Sequence, residues 1–298
     1  MRSLETMLNS GRVLVADGAM GTLLTARAAK RGLGQAIDAE TVLQQAPEII
    51  ETIHGDYVEA GADLILTSTF STTARQLEKR GGASDIEQLL RMAAECARKA
   101  AGEEHLVFGD LGPMGAFFPP MGKLTREEAI ASYKRRAGIL SATGLIDGLL
   151  IETQFDLQEA ECGILGVREV TDLPLAVTMS FDHHGKTMMG VSPQALAALV
   201  AENSVEIAGV NCGKSLQESL DALGAIHGAV PELRLWAKPN AGLPTLQNGV
   251  AHYDLEPGIF AEWALRFAEL GASVFGGCCG TTPEHIRSVA QALAKLDG

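Results

Sequence analysis

Gly-Leu-Leu-Ile at residues 148–151 is followed at once by Glu152 and Thr153. The run is continuously apolar, whereas a strand with one face in water alternates apolar and polar residues. Such a run is typical of a parallel strand that is buried on both faces. The polar residues that follow it predict where the chain leaves the core.

Short apolar runs of this kind recur along the chain, and most are separated by enough residues for at least one helix. Eight of them are predicted strands: 13–16, 64–67, 106–109, 148–151, 175–178, 207–210, 235–238 and 273–275. Helix-start signals lie in several gaps, namely the capping boxes Ser84/Glu87 and Thr125/Glu128 and the N-cap–proline pairs Ser192-Pro193 and Thr282-Pro283.

Eight strand–helix units in 298 residues predict an α/β protein with one domain, a (β/α)8 barrel or TIM barrel, over residues 1–298. An open, doubly wound parallel sheet is the alternative, since it uses the same alternation of elements. The distinction matters because a barrel gathers the carboxyl ends of all its strands around one mouth, where active sites of this fold lie.

Composition narrows the class of partner. The formal net charge of −13 disfavours nucleic acid, because phosphates would be repelled. No apolar run approaches the roughly 18 residues that read as a membrane span, and the first residues lack the apolar stretch of a secretory signal. We therefore expect a cytoplasmic protein that binds neither nucleic acid nor membrane.

Five cysteines without a secretory signal argue against a disulfide framework. Cys96 and Cys162 lie within helical patterns and are interpreted as small core residues. Cys212, Cys278 and Cys279 instead follow the sixth and eighth predicted strands, and should meet at the barrel mouth. Three thiolates are a natural zinc site, and a fourth position left open would make it catalytic. A redox-active or incidental cysteine pair is the alternative.

Carboxylates also end two strands. Asp17 and Glu152 follow apolar runs, where a charge is costly unless it is used or paired. Glu152 is the stronger site candidate, whereas Asp17 could equally accept hydrogen bonds from loop amides. The glycines in residues 17–22 could let backbone amides meet an anionic group. The histidines are interpreted as core, surface or turn residues.

Seven segments carry a resemblance to a known family. They are ADGAMGT at 16–22, YVEAGADLILTSTF at 57–70, GDLGPMG at 109–115, IET at 151–153, GVNCG at 209–213, KPNAGLP at 238–244 and FGGCCGTTPEH at 275–285. In this order they resemble the homocysteine S-methyltransferase family, and especially the homocysteine-binding barrel of cobalamin-dependent methionine synthase. The last segment is the most specific.

The resemblance implies a zinc-dependent methyltransferase that converts homocysteine to methionine. By position, Cys212, Cys278 and Cys279 match the family's Zn²⁺ ligands. Asp17 and Glu152 match acidic residues near homocysteine, and Gly18 and Ala19 match a loop beside its amino-acid part. Asn240 matches an asparagine that can approach zinc when no substrate thiolate is present.

The methyl donor is less clear from the resemblance. The chain ends soon after the barrel, and Asp182-His183-His184-Gly185 departs from the family's cobalamin signature. We expect a methylated corrinoid such as methylcobalamin, supplied free or by a separate corrinoid protein. S-methylmethionine and betaine are rival donors. Another thiol acceptor, or a non-catalytic zinc- or thiol-binding barrel, are the alternatives for function.

Overall fold

A computed structural model describes residues 4–33, 37–79, 85–182, 184–243, 245–247 and 250–296. Eight parallel strands form the sheet: Leu14–Val15 (β1), Leu64–Leu66 (β2), Leu106–Leu111 (β3), Gly148–Gln154 (β4), Leu175–Met179 (β5), Ile207–Cys212 (β6), Arg234–Pro239 (β7) and Ala272–Phe275 (β10). A separate antiparallel hairpin, Thr245–Gln247 (β8) and Val250–His252 (β9), follows β7.

Helices alternate with these strands. Their bounds are Leu4–Leu8 (α1), Gly21–Lys30 (α2), Ala39–Gln45 (α3), Pro47–Glu59 (α4), Ala74–Lys79 (α5), Ile86–Ala101 (α6), Arg126–Ala142 (α7), Leu157–Arg168 (α8), Pro193–Glu202 (α9), Leu216–Ala229 (α10), Pro257–Glu269 (α11) and Pro283–Leu293 (α12). The predicted TIM barrel is confirmed, and each predicted strand overlaps an observed one. The open doubly wound sheet is wrong, because the first and last strands of the sheet meet.

The sheet order is β1-β10-β7-β6-β5-β4-β3-β2. The barrel closes between β1 and β2 through a short parallel bridge of Ala16 with Leu64. The amide of Asp17 donates to Leu64 O at 2.9 Å, and the amide of Asp63 donates to Val15 O at 2.7 Å.

Two carboxylates extend this closure beyond the backbone pairs. Asp63 Oδ2 accepts from the amide of Val15 at 2.9 Å, and Asp17 Oδ2 accepts from the amide of Leu66 at 2.9 Å. Side chains thus supply hydrogen-bond acceptors that longer strands would supply as carbonyl groups. We refer to this β1–β2 contact, with Asp17 and Asp63, as the seam.

The continuous apolar runs are explained by burial on both faces. One face of each strand packs under the helices, and the other fills the barrel interior, where Phe108 and Trp236 lie with ring centroids 5.7 Å apart. Gly148 makes room for the Phe108 ring, since a Cβ there would overlap it, and Gly209 makes room for the backbone carbonyl of Trp236. Leu4, Met7 and Leu8 of α1 join the same interior cluster.

Helix starts largely follow the predicted signals. Thr125 and Glu128 form the expected capping box, and Ser192 caps α9 ahead of Pro193. Thr282 caps α12, with His285 as its reciprocal partner. Ser84 lies outside the described residues, and Asp85 is the N-cap of α6, accepting from the amide of Glu87. Within the described part of the chain, no helix is long and apolar enough to cross a membrane.

Candidate metal centre and substrate cavity

A cavity of about 930 Å³ opens at the carboxyl ends of the barrel strands. This volume lies within the range of small-molecule sites. The last residues of β3, β4, β6 and β7 and the loops after β1, β2 and β10 contribute to its wall. It is lined by seven of the predicted site residues: Asp17, Gly18, Ala19, Glu152, Cys212, Cys278 and Cys279.

The three predicted metal ligands lie together. The Sγ atoms of Cys212, Cys278 and Cys279 all lie within 4.8 Å of one another, and those of Cys212 and Cys278 are 3.0 Å apart. Cys212 ends β6 with a φ of 58°, a left-handed conformation that is uncommon for a residue with a side chain. Among the described residues, this is the one cluster of three His, Cys, Asp or Glu groups close enough to share a metal ion.

The loop after β10 is held against its neighbours. The amide of Cys278 donates to Pro239 O at 2.9 Å, and Cys279 O accepts from the amide of Ala241 at 3.0 Å. Gly280 adopts a φ of 83°, and a Cβ there would overlap the ring of Tyr253. The glycine therefore permits both the turn and the close approach of the tyrosine.

The thiols share hydrogen bonds. Hydrogen bonds from Cys212, Cys278 and Tyr253 together lower the pKa of Cys279 to about 3. Hydrogen bonds with Cys212 and Cys279, together with burial, raise the pKa of Cys278. The cluster thus favours one thiolate and two thiols. A metal ion would replace the two remaining protons, because thiolates are the metal-binding form.

The donor set fits a catalytic zinc site. Three soft sulfur atoms are available at the wall of a cavity, and a catalytic zinc keeps a position open for a ligand from solvent or substrate. Asn240 is the first residue after β7, and its Nδ2 donates to Gly213 O, next to Cys212, at 2.9 Å. Its Oδ1 is buried and has no hydrogen-bond partner among the described residues, so an acceptor remains free there.

Both carboxylate oxygens of Asp17 already have partners within the protein. Its Oδ1 lies 2.5 Å from Lys238 Nζ, and its Oδ2 accepts from the amide of Leu66 in the seam. Asp17 thus accepts one backbone amide, as its structural alternative supposed, but the amide belongs to strand β2 and not to a loop. Direct contact of Asp17 with a substrate stays a prediction.

Glu152 is 7% exposed and faces the cavity. Burial raises its pKa to about 7, while Lys238 opposes this shift and Asp17 adds to it. A buried carboxyl group with such a pKa responds strongly to a cation placed beside it.

The loop after β1 is braced by Thr281. The amide of Ala19 donates to Thr281 Oγ1 at 3.0 Å, and Ala19 O accepts from the hydroxyl of Tyr57 at 2.8 Å. Gly18 is required here, because a Cβ would lie 2.7 Å from Thr281 Oγ1 and 2.8 Å from the Tyr57 ring. The backbone of this loop is thus rigid where it meets the cavity.

Three residues of the site were missing from the sequence-based prediction: Lys238, Asp110 and Tyr253. Lys238 is 2% exposed and ends the apolar run of β7, so a buried lysine in a strand was an available signal for a carboxylate partner. Asp110 likewise follows the apolar start of β3, as its penultimate residue. Nothing in the local pattern around Tyr253 indicates its contact with the cysteine loop.

None of the histidines that the structure describes lines the cavity. His54 is buried in α4, and neither ring nitrogen has a hydrogen-bond partner among the described residues. His285 Nε2 contacts Leu255 O at 2.8 Å, and its Nδ1 pairs with Thr282. His184 is described on the loop after β5, whereas His183 lies outside the described residues.

Comparison with known families decides the relationship. The model of the homocysteine S-methyltransferase family matches residues 14–293, which include the whole barrel and the three clustered cysteines. The chain belongs to the homocysteine S-methyltransferase family. The predicted family is thereby confirmed.

Relatives of this chain include much longer proteins. The methionine synthase of Mycobacterium leprae is 34% identical over 314 residues, covering 99% of this chain and 25% of the relative. The methionine synthase of Mycobacterium tuberculosis is 33% identical over 303 residues, covering 96% and 25%. The chain therefore spans about a quarter of the length of these relatives.

A solved structure matches over its full length. The metallated form of the homocysteine methyltransferase MmuM from Escherichia coli is 26% identical, with a TM-score of 0.79. The match covers 97% of this chain and 99% of that one. A sequence similar to this chain thus makes up nearly the whole of one solved methyltransferase chain and about a quarter of the two longer methionine synthases.

Proposed function

We propose that this homocysteine S-methyltransferase family member, through its barrel domain at residues 1–298, methylates the sulfur of homocysteine to form methionine. The observation that carries the proposal is the position of three clustered cysteine sulfurs on the wall of a cavity that also exposes the carboxyl group of Glu152. A thiol-binding group and an amino-acid-binding group thus share one cavity.

Cys212, Cys278 and Cys279 would hold Zn²⁺ as thiolates. Bound there, zinc would lower the pKa of the substrate thiol, so that its sulfur reacts as a thiolate at neutral pH. Free Oδ1 of Asn240 offers the protein an oxygen acceptor close to this cluster when no substrate is present. Cys212, at the end of β6, and the hydrogen-bonded loop after β10 would hold the three sulfurs in place.

Glu152 is proposed to receive the ammonium group of homocysteine, and the loop at Gly18 and Ala19 its carboxylate. Asp17 supports this arrangement by fixing Lys238 and the seam rather than by adding a free oxygen. The substrate thiol loses its proton to solvent on binding. Its sulfur then forms a bond to the methyl carbon as the bond between that carbon and the donor breaks.

A methylated corrinoid is the proposed donor, supplied by a separate protein or free in solution. The higher identity to methionine synthases, 34% against 26% for MmuM, supports this choice. A betaine donor would need a cage for its quaternary ammonium group, commonly aromatic. Phe117 and Phe155 pack with ring centroids 5.9 Å apart, a pair rather than a cage, and neither lines the cavity.

The test combines purified, zinc-loaded chain with homocysteine and one donor at a time: methylcobalamin, S-methylmethionine or betaine. Methionine is measured by mass spectrometry, with the Cys279→Ala variant as the control without a complete metal site. We expect methionine from methylcobalamin faster than from either onium donor. If only S-methylmethionine supports turnover, the donor is S-methylmethionine and not a methylated corrinoid. If no donor yields methionine, the proposal that homocysteine is the methyl acceptor is wrong.

A further inference from the structure

Asn211 connects the strand of the clustered cysteines to the strand of Glu152. It precedes Cys212 at the end of β6 and is 1% exposed. Its side chain contacts Thr153, the residue that follows Glu152 in β4. Strands β4 and β6 are not neighbours in the sheet, because β5 lies between them. The side chain of Asn211 therefore reaches across the carboxyl end of β5.

The amide group of Asn211 is fully used in this contact. The backbone amide of Thr153 can only donate, so it fixes Oδ1 of Asn211 as the acceptor, at 3.0 Å. Nδ2 then faces two acceptors, and it donates to Thr153 Oγ1 and to Cys212 Sγ, the latter at 3.6 Å. Alanine would supply none of these bonds, and aspartate would supply no donor for the sulfur.

The contact holds an uncommon backbone conformation. Thr153 has a φ of 54° and Cys212 a φ of 58°. A β-branched residue rarely adopts this left-handed conformation, so its surroundings must hold it there. Thr178 Oγ1, on β5, offers the Thr153 amide only a longer contact, at 3.4 Å. Asn211 thus provides the closer side-chain support for the turn directly after Glu152.

Both ends of this bridge meet the cavity, because Glu152, Thr153 and Cys212 line its wall. We propose that Asn211 is a positioning residue that fixes the distance between the sulfur of Cys212 and the carboxyl group of Glu152. This inference rests on the proposed function, in which the substrate sulfur binds the metal and its ammonium group binds Glu152. A fixed distance selects the chain length between these two groups, so homocysteine binds more tightly than cysteine, which is one methylene shorter.

The test measures chain-length selectivity by calorimetry. Homocysteine and cysteine are titrated into zinc-loaded wild type, Asn211→Ala and Thr178→Val, after elemental analysis of the zinc content. In the wild type, homocysteine should bind about tenfold more tightly or better, the usual effect of one methylene. In Asn211→Ala this preference should fall to about twofold or less, mainly because homocysteine binds more weakly. Thr178→Val is the control, because it removes a buried hydroxyl at the same level and leaves the bridge intact. Its preference should stay within about twofold of the wild type.

A merely structural role for Asn211 would weaken both ligands equally and leave their ratio unchanged. That result, or unchanged binding of both ligands, overturns the inference and leaves the proposed function standing. Failure of the zinc-loaded wild type to bind homocysteine overturns the proposed function and the inference with it. If Asn211→Ala does not fold or does not hold zinc, Thr153→Ala removes the hydroxyl half of the bridge from the other end. The preference for homocysteine should then fall, and an unchanged preference in that variant overturns the inference.

Discussion

Lys238 Nζ lies 2.5 Å from Asp17 Oδ1, and the two side chains are 3% and 5% exposed. The lysine is the penultimate residue of β7 and the aspartate follows β1, so the pair links distant parts of the chain at the wall of the cavity. Burial alone would lower the pKa of Lys238, but Asp17 and Glu152 raise it above its usual value. The lysine therefore stays charged within the core.

Replacement of Lys238 by Met should destabilise the fold by about 3–5 kcal/mol, because Asp17 is left as an unpaired buried charge. The loss in free energy of unfolding of the Asp17→Asn/Lys238→Met double variant should be smaller than the summed losses of the single variants Asp17→Asn and Lys238→Met. Urea denaturation followed by circular dichroism measures all three. Strict additivity would show that the pair is not coupled.

Zinc binding should depend on the clustered cysteines and not on the others. Cys212→Ala or Cys279→Ala should lose most of about one zinc ion per chain, since each removes one of three protein ligands. Cys96→Ala and Cys162→Ala are matched controls, because both residues are buried in helices outside the cluster. Elemental analysis after dialysis gives the metal content. Full zinc retention in both cluster variants would refute the site.

Glu152→Gln should weaken homocysteine binding by about 1–3 kcal/mol, the effect of weakening a hydrogen bond to a charged group. The zinc content should not change, because Glu152 is not one of the clustered sulfur residues. Calorimetry and elemental analysis on the same preparation test both parts. Unchanged affinity would mean that Glu152 serves the structure alone.

His54 should make stability fall in acid. Burial lowers its pKa to about 4 from an ordinary 6.5. Between these values the unfolded chain binds the proton and the folded chain does not, so stability falls as pH drops through this window. The total loss is about 3 kcal/mol at 1.36 kcal/mol per pKa unit. His54→Leu should flatten the dependence of Tm on pH from 7 to 4. If Tm falls with pH in His54→Leu as steeply as in the wild type, His54 is not the cause of the loss of stability in acid.

Gly209→Ala tests the packing of the barrel interior. A Cβ at this position would overlap the carbonyl group of Trp236, which is backbone and cannot move aside cheaply. We expect a loss of at least about 1–3 kcal/mol. Gly228→Ala is the control, because a Cβ there meets nothing within 4 Å and alanine favours the end of α10. Equal Tm values for Gly209→Ala and Gly228→Ala would show that the close approach of the Trp236 carbonyl does not require glycine at position 209.

The strands and the cysteine cluster were predictable for one physical reason. Parallel strands buried on both faces leave long apolar runs, and closure of the barrel brings their carboxyl ends to one mouth. Cys212 and Cys278 could thus be placed together across 66 residues from their positions after two strands. Position along a strand was enough for that conclusion.

Partner choice inside the site was not predictable in the same way. Asp17 could face substrate, loop amides or a cation, and only the stagger of β1 against β7 places it on Lys238. Thr281 likewise braces Ala19 across 262 residues with no local signal. The short hairpin β8–β9 carries no strong strand pattern either. Such features depend on three-dimensional register rather than on periodicity.

The seam also has a dynamic consequence. Asp17 and Thr67 flank the closure from opposite sides, and both line the cavity. A ligand that contacts both Asp17 and Thr67 therefore stabilises the pairing of β1 with β2, which is the shortest strand contact of the barrel. Local separation of β1 from β2 should cost less free energy than separation of any other strand pair in the sheet. Amide hydrogen exchange at Asp17 and Leu66 should therefore be faster than in β4 to β6 without ligand, and should slow selectively when the cavity is filled.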